Sequence, residues 1–158
     1  MNLRIALFEP RIPQNTGNIG RTCAAFNLKL DLICPLGFSL DDKYLKRAGL
    51  DYWKYLKLYI HKDYKEFKES NKESRIIGFS KTGDKTLSET TFQYNDVLLF
   101  GREDNGLTES VRNDCDLLVE IPMTAKANDL GLNGVRSLNL SVACGIASYV
   151  AINQLNRL

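Results

Sequence analysis

Residues 3–26, "LRIALFEPRIPQNTGNIGRTCAAF", decide how the rest of the chain is read. "LRIALF" is a short, near-continuous apolar run, the pattern of a strand buried on both faces. Pro10 and Pro13 then stiffen an excursion, and a helix is expected to begin near Asn15 or Thr16. A strand, a small-residue loop and a helix form the usual setting for a phosphate cradle. The glycines argue against one here: Gly17 and Gly20 do not make Gly-x-Gly-x-x-Gly tight against the strand. Arg21 adds a puzzle, because a cation near a helix N-terminus opposes the helix dipole. It either pairs with a carboxylate such as Glu9 or faces a substrate phosphate.

Outward from this stretch, strands and helices alternate. "LDLICP" reads as a second strand and "SLDDKYLKRAG" as a short helix, with a Ser39-x-x-Asp42 capping pattern and a terminal Gly49. "YLKLYI" is a third strand, "DYKEFKESN" a short polar helix and "RIIGFS" a fourth strand, followed by the turn "KTGDK". "DVLLFG" and "LLVEIPM" complete six strands. "NLSVACGIASYVAINQLN" is a long helix with apolar and small residues on more than one face, expected to be buried on two sides, one of them against a second subunit. The alternation predicts an α/β fold, a mostly parallel sheet flanked by helices, in a single domain over residues 1–158.

Composition narrows the class without naming a function. With 44% hydrophobic and 25% charged residues, the chain has the make-up of a globular protein with one core. Its apolar runs are too short for a membrane span, and "MNLRIALFEP" lacks the apolar region of a signal peptide. Cys23, Cys34, Cys115 and Cys144 are widely spaced, and His61 is the only histidine. That spacing argues against a metal site and for reduced core thiols in a cytoplasmic protein. The net charge of +2 hides an uneven distribution, since residues 43–75 hold ten Lys/Arg against five Asp/Glu. Seven aromatic residues are interleaved there. Such a stretch is either a solvated face or a surface on which lysines meet phosphates and rings stack on bases.

In parallel sheets ligands sit beyond the carboxyl ends of the strands. Four loops qualify: "EPRIPQNTGNIGR", "SKTGD", "GREDNGLT" and "PMTAKANDLGLNGVRS". In the third, Gly101 and Gly106 would let backbone approach a ligand, and Glu103 would accept a hydrogen bond from a ligand or pair with Arg102.

In chain order, "NTGNIGRT", "LLFGREDNGL" and "IPM…RSLNLSVA" resemble the three motifs of the SPOUT superfamily of RNA methyltransferases. "EPRIPQNTGNIGR" and "GFSLDDKYLKRAGLDYW" are similar to the short bacterial enzymes that methylate the ribose of the tRNA wobble nucleotide. The resemblance covers nearly the whole chain. It implies a C-terminal trefoil knot, a homodimer, tRNA as substrate and S-adenosylmethionine as methyl donor. By the same resemblance, Arg21 acts on the ribose 2′-hydroxyl with support from Asn15. The donor lies among Phe79, Gly101, Ile121, Met123, Ser137 and Leu138, while Glu103 orients its loop and Asn139 shapes a helix start. RNA contacts fall to Lys46, Arg47 and Lys54 in the basic stretch.

Two departures from the family pattern bear on these expectations. The segment "TAKANDLGLNGV", residues 124–135, lengthens the donor-side loop, and Arg102 and Thr108 replace frequent prolines, which should loosen "GREDNGLT". The chemistry itself asks for no metal. It needs an in-line attack by a hydroxyl on a sulfonium methyl group. Arginine, with an ordinary pKa of about 12.5 or more, is a poor base by itself: it either stabilises the developing alkoxide, the reading preferred on physical grounds, or acts as a base assisted by an RNA phosphate. Ribose methylation of rRNA or of another tRNA site, and a non-catalytic RNA-binding α/β dimer, are the competing readings.

Overall fold

The computed structural model describes residues 2–124, 135 and 137–156. Among these residues seven parallel strands make one sheet: β1 (Arg4–Phe8), β2 (Lys29–Ile33), β3 (Lys57–His61), β4 (Ile76–Phe79), β5 (Lys85–Thr86), β6 (Val97–Phe100) and β7 (Leu117–Glu120). Their order across the sheet is β3-β2-β1-β6-β4-β7-β5. The chain builds outward from β1 in one direction, then crosses to the other side. β1 therefore sits at the reversal, paired with β2 through Phe8↔Ile33 and with β6 through Leu7↔Phe100.

Among the described residues five α-helices cover the sheet: α1 (Pro13–Ala25), α2 (Lys43–Gly49), α3 (Tyr64–Ser70), α4 (Glu109–Asn113) and α5 (Leu140–Asn156). Alternate residues of the central strands β1 and β6 enter opposite cores, as the two-residue period of a strand requires. Ile5, Leu7, Leu98 and Phe100 join Ile19 and Cys23 of α1 and Cys144 and Ala147 of α5. Ala6, Phe8, Val97 and Leu99 join Phe67 of α3 and Val111 of α4. Asp31 is the polar exception in β2. It is fully buried, accepts two hydrogen bonds from Arg4 at 2.8 and 2.6 Å, and lies 2.7 Å from His61 Nε2. A carboxylate so buried is tolerated because partners replace its water.

Several local expectations are corrected. α1 begins at Pro13, two residues earlier than expected, because proline fits the first helical position, where no N–H is needed. Gly17 and Gly20 are therefore helical rather than part of a loop. The helix expected from Ser39 begins at Lys43, capped by Asp42, whose carboxylate accepts from the N–H groups of Tyr44 and Leu45. The seventh strand, β5, is two residues long and lies within what reads as a turn region. It is defined by pairing with β7, Lys85↔Val119 and Thr86↔Glu120, which leaves no periodicity in sequence. Within its own chain α5 buries Cys144, Ala147, Ser148 and Ala151, while Val142, Ile146 and Tyr149 are exposed on the face expected to meet a second subunit. The lengthened segment at residues 124–135, where the expected knot falls, lies mostly outside the described residues.

Candidate active site

The carboxyl ends of β1, β4, β6 and β7 open into one cleft of about 1130 Å³, and the N-terminal end of α5 closes its far wall. All four loops that the sequence marks out contribute to it. Phe79, Gly101, Glu103, Ile121, Met123, Ser137, Leu138 and Asn139 line it, and so does Asn15. Phe79 and Phe100, neighbours on β4 and β6, stack with ring centres 4.5 Å apart and planes 10° from parallel, forming an apolar floor.

The β6 loop folds back on itself. Arg102 and Gly106 exchange backbone hydrogen bonds of 3.1 and 2.9 Å, and Gly106 turns the chain with a φ of +67°. A Cβ on Gly101 would overlap the backbone carbonyl carbon of Gly106 and the amide nitrogen of Leu107. Glycine at 101 is thus demanded by the loop's own closure, before any ligand is considered. Nor is the loop loosened by Arg102 and Thr108. Arg102 forms a two-pronged pair with Asp104 at 2.9 and 2.6 Å and lies 3.7 Å from Glu9, and the Thr108 hydroxyl caps α4 by accepting from Val111 N–H. These hydrogen bonds from Arg102 hold the Asp104 carboxyl down at about 2.

Glu103 does not pair with Arg102, one of the two uses expected from the β6 loop alone, because Arg102 is engaged by Asp104 and Glu9. The Glu103 carboxylate accepts from the backbone N–H groups of Arg11 at 2.8 Å and Ile12 at 3.0 Å, and from Asn15 Nδ2 at 3.4 Å. α1 has no side-chain cap of its own, so Glu103 brings an acceptor and a negative charge to its N-terminus from 91 positions away. Asn15, 5% exposed, in turn accepts at Oδ1 from Asn139 Nδ2 at 3.0 Å. Asn139 caps α5 with its own Oδ1, which accepts from Ser141 N–H and Oγ–H at 2.9 and 2.7 Å. One chain of hydrogen bonds, Glu103–Asn15–Asn139, ties the three motif loops together around the cleft.

The remaining candidates lie elsewhere. Arg21 is exposed, does not line the cleft, and sits roughly 9 Å further along α1 than Asn15 at the usual helical rise. Glu9 pairs with Arg11 and Arg102 instead of with Arg21. Arg21 Cζ is instead 5.0 Å from the centre of the Tyr52 ring. Lys46, Arg47 and Lys54 are exposed on α2 and the 3-10 helix Leu50–Tyr55, which pack on α1. Sequence reasoning missed Arg112, a cleft residue whose Nε is buried and lacks a partner among the described residues. Its helix, α4, is too short to leave a periodic signal.

The SpoU rRNA Methylase family model matches residues 2–149, and the chain belongs to that family. The tRNA (cytidine(34)-2'-O)-methyltransferase of Yersinia pestis is 41% identical over 160 residues, covering 97% of this chain and 94% of the relative. A solved structure described as "Structural insights into the 2-OH methylation of C/U34 on tRNA" superposes with a TM-score of 0.90 at 43% identity, covering 99% of this chain and 97% of the other. The SpoU methyltransferase AviRb from Streptomyces viridochromogenes, solved with AdoMet, shares the fold at a TM-score of 0.86 and 23% identity, over 98% of this chain and 58% of that one.

Proposed function

We propose that this chain transfers the methyl group of S-adenosylmethionine to the ribose 2′-hydroxyl of the wobble nucleotide of tRNA. The carrying observation is the Glu103–Asn15–Asn139 hydrogen-bond chain, which joins all three superfamily motifs at a single cleft. Full-length similarity to a tRNA cytidine-34 methyltransferase supports the same substrate over rRNA or another tRNA position.

The cleft suits the donor. Phe79, Ile121 and Leu138 offer apolar walls to a purine, and Arg112 offers a cation to a carboxylate. When bound, the donor supplies a methyl group on a sulfonium. Asn15, held from both sides, keeps the start of α1 fixed against the cleft. Arg21 stabilises negative charge growing on the attacking hydroxyl oxygen. Alignment of this kind contributes up to ~7–11 kcal/mol in well-oriented model reactions.

Arg21 does not reach the cleft of its own chain, and a homodimer accounts for this. Val142, Ile146 and Tyr149 recur at i, i+4 and i+7 on the exposed side of α5, 48%, 39% and 57% exposed. Such a stripe is the kind of face a second copy covers. Dimerisation across it places Arg21 of one protomer to serve the cleft of its partner, with Lys46, Arg47 and Lys54 alongside to meet tRNA phosphates. Among the described residues no helix is long and apolar enough to cross a membrane, in keeping with a cytoplasmic enzyme.

Methyl transfer from labelled S-adenosylmethionine to total tRNA, followed by mapping of the modified nucleotide, tests the proposal. Label at the 2′-oxygen of nucleotide 34 is expected. Label only in rRNA, or donor binding without transfer, would overturn it. Light scattering of the active enzyme should report two chains per particle.

A further inference from the structure

We propose that Tyr52 is the positioning residue for Arg21, and that residues 47–53, "RAGLDYW", are the device that holds the pair. The inference rests on the reading of Arg21 as the group that meets the ribose hydroxyl. Among the described residues, none in this segment lines the cleft, and no role there has fallen to it.

Two contacts carry the assignment. The first is at Gly20, next to Arg21 on α1. A Cβ there would lie 2.7 Å from Trp53 Cζ3 and 3.2 Å from Leu56 Cδ2. The indole therefore occupies the space a larger residue would need, and this rigid ring seats the 3-10 helix against the backbone of α1. The second contact follows one residue away on each partner. Arg21 Cζ lies over the Tyr52 ring, 5.0 Å from its centre. Adjacent residues on one side thus grip adjacent residues on the other.

The chemistry of the second contact matters. A guanidinium carries five N–H donors, all directed outward in its plane. A ring against its face uses none of them, whereas a carboxylate partner would occupy donors and offset the charge. The Glu9 carboxylate, the partner that the sequence offered for Arg21, is engaged by Arg11 and Arg102. Tyr52 is itself 42% exposed, so the pair sits at the surface, where a substrate can reach the free edge of the guanidinium. Arg21 is restrained in direction yet keeps its donors and its charge. The contact is through the ring face, so the Tyr52 hydroxyl is dispensable.

The test compares Tyr52→Leu, Tyr52→Met, Tyr52→Phe, Arg21→Ala and the double variant Tyr52→Leu/Arg21→Ala. It uses kcat and KM on tRNA, donor titration and thermal melts. Tyr52→Leu and Tyr52→Met should lower kcat by about 3- to 30-fold, the span between an exposed and a desolvated cation–π contact. Donor affinity and melting temperature should stay near wild type, and Tyr52→Phe should recover most of the rate. In the Arg21→Ala background, Tyr52→Leu should cost nothing further, since coupled residues are not additive. Wild-type kcat in both non-aromatic variants overturns the proposal, and so does an equal loss with and without Arg21. Normal turnover in Arg21→Ala would be a different failure, that of the reading of Arg21 itself.

Discussion

Asn139 Nδ2 donates to Asn15 Oδ1 at 3.0 Å, joining the start of α5 to the first turn of α1 across 124 positions of sequence. Asn139 also caps α5 through its Oδ1. Asn139→Ala therefore removes a helix cap and strands a buried acceptor on Asn15. The expected cost is about 1–3 kcal/mol in chemical denaturation, together with weaker donor binding by calorimetry. Unchanged stability would mean the bridge is incidental.

Gly101→Ala should be more damaging, because the added Cβ meets backbone that cannot turn aside. Besides the two overlapping atoms, Gly106 Cα would lie 2.6 Å away. A loss of about 3 kcal/mol or more is expected, and donor binding should fall with it as the β6 loop opens. Urea denaturation and donor titration of the same variant check both.

Arg21→Ala should separate chemistry from binding. Donor affinity should remain near wild type, since Arg21 does not line the cleft, while methyl transfer falls by about 10²-fold or more. Arg21→Lys should restore little, because an ammonium does not reproduce a planar fork. Loss of donor binding in a folded Arg21→Ala dimer would place the first motif in the donor site instead.

Lys46, Arg47 and Lys54 are expected to reveal themselves through salt. Each phosphate contact removed, by Lys→Gln or Arg→Gln, should reduce the slope of log affinity against log salt by about one unit or slightly less. Filter binding of tRNA at several ionic strengths measures it. Unaltered slope and affinity would return this stretch to a solvated surface.

The β6 loop should show its ion pair in a pH titration. Hydrogen bonds from Arg102 hold Asp104 down at about 2, against an ordinary value near 4. A depressed carboxyl contributes stability above its unfolded pKa and loses it as pH falls through the folded value. The pair's contribution is thus full above about pH 4 and gone below about pH 2. Carboxyl NMR should give a midpoint near 2 for Asp104, and Arg102→Met should return it towards the ordinary value.

How much of this was legible in the sequence depended on range. Six strands and the long final helix were readable because apolar runs and helical spacing are local signals. The four loops at the strand ends were identifiable as one region because a parallel sheet forces its crossovers to return to the same edge. The motif residues could be named one by one. Their partners could not. That Glu103 caps α1, and that Asn139 reaches Asn15, follows from pairing β1 beside β6 and docking α5 on α1, and no periodicity encodes those choices.

The sequence by itself determined the α/β class, the three motif loops and the uneven charge, since each is written in residue types and short spacings. Tertiary structure alone decided where Arg21 lies. Its position on α1 is a sequence fact, but its distance from the cleft and its contact with Tyr52 depend on how the 3-10 helix packs on Gly20. A helix presents every direction in turn, so only packing determines which side chain meets a neighbour and which is left to meet a substrate.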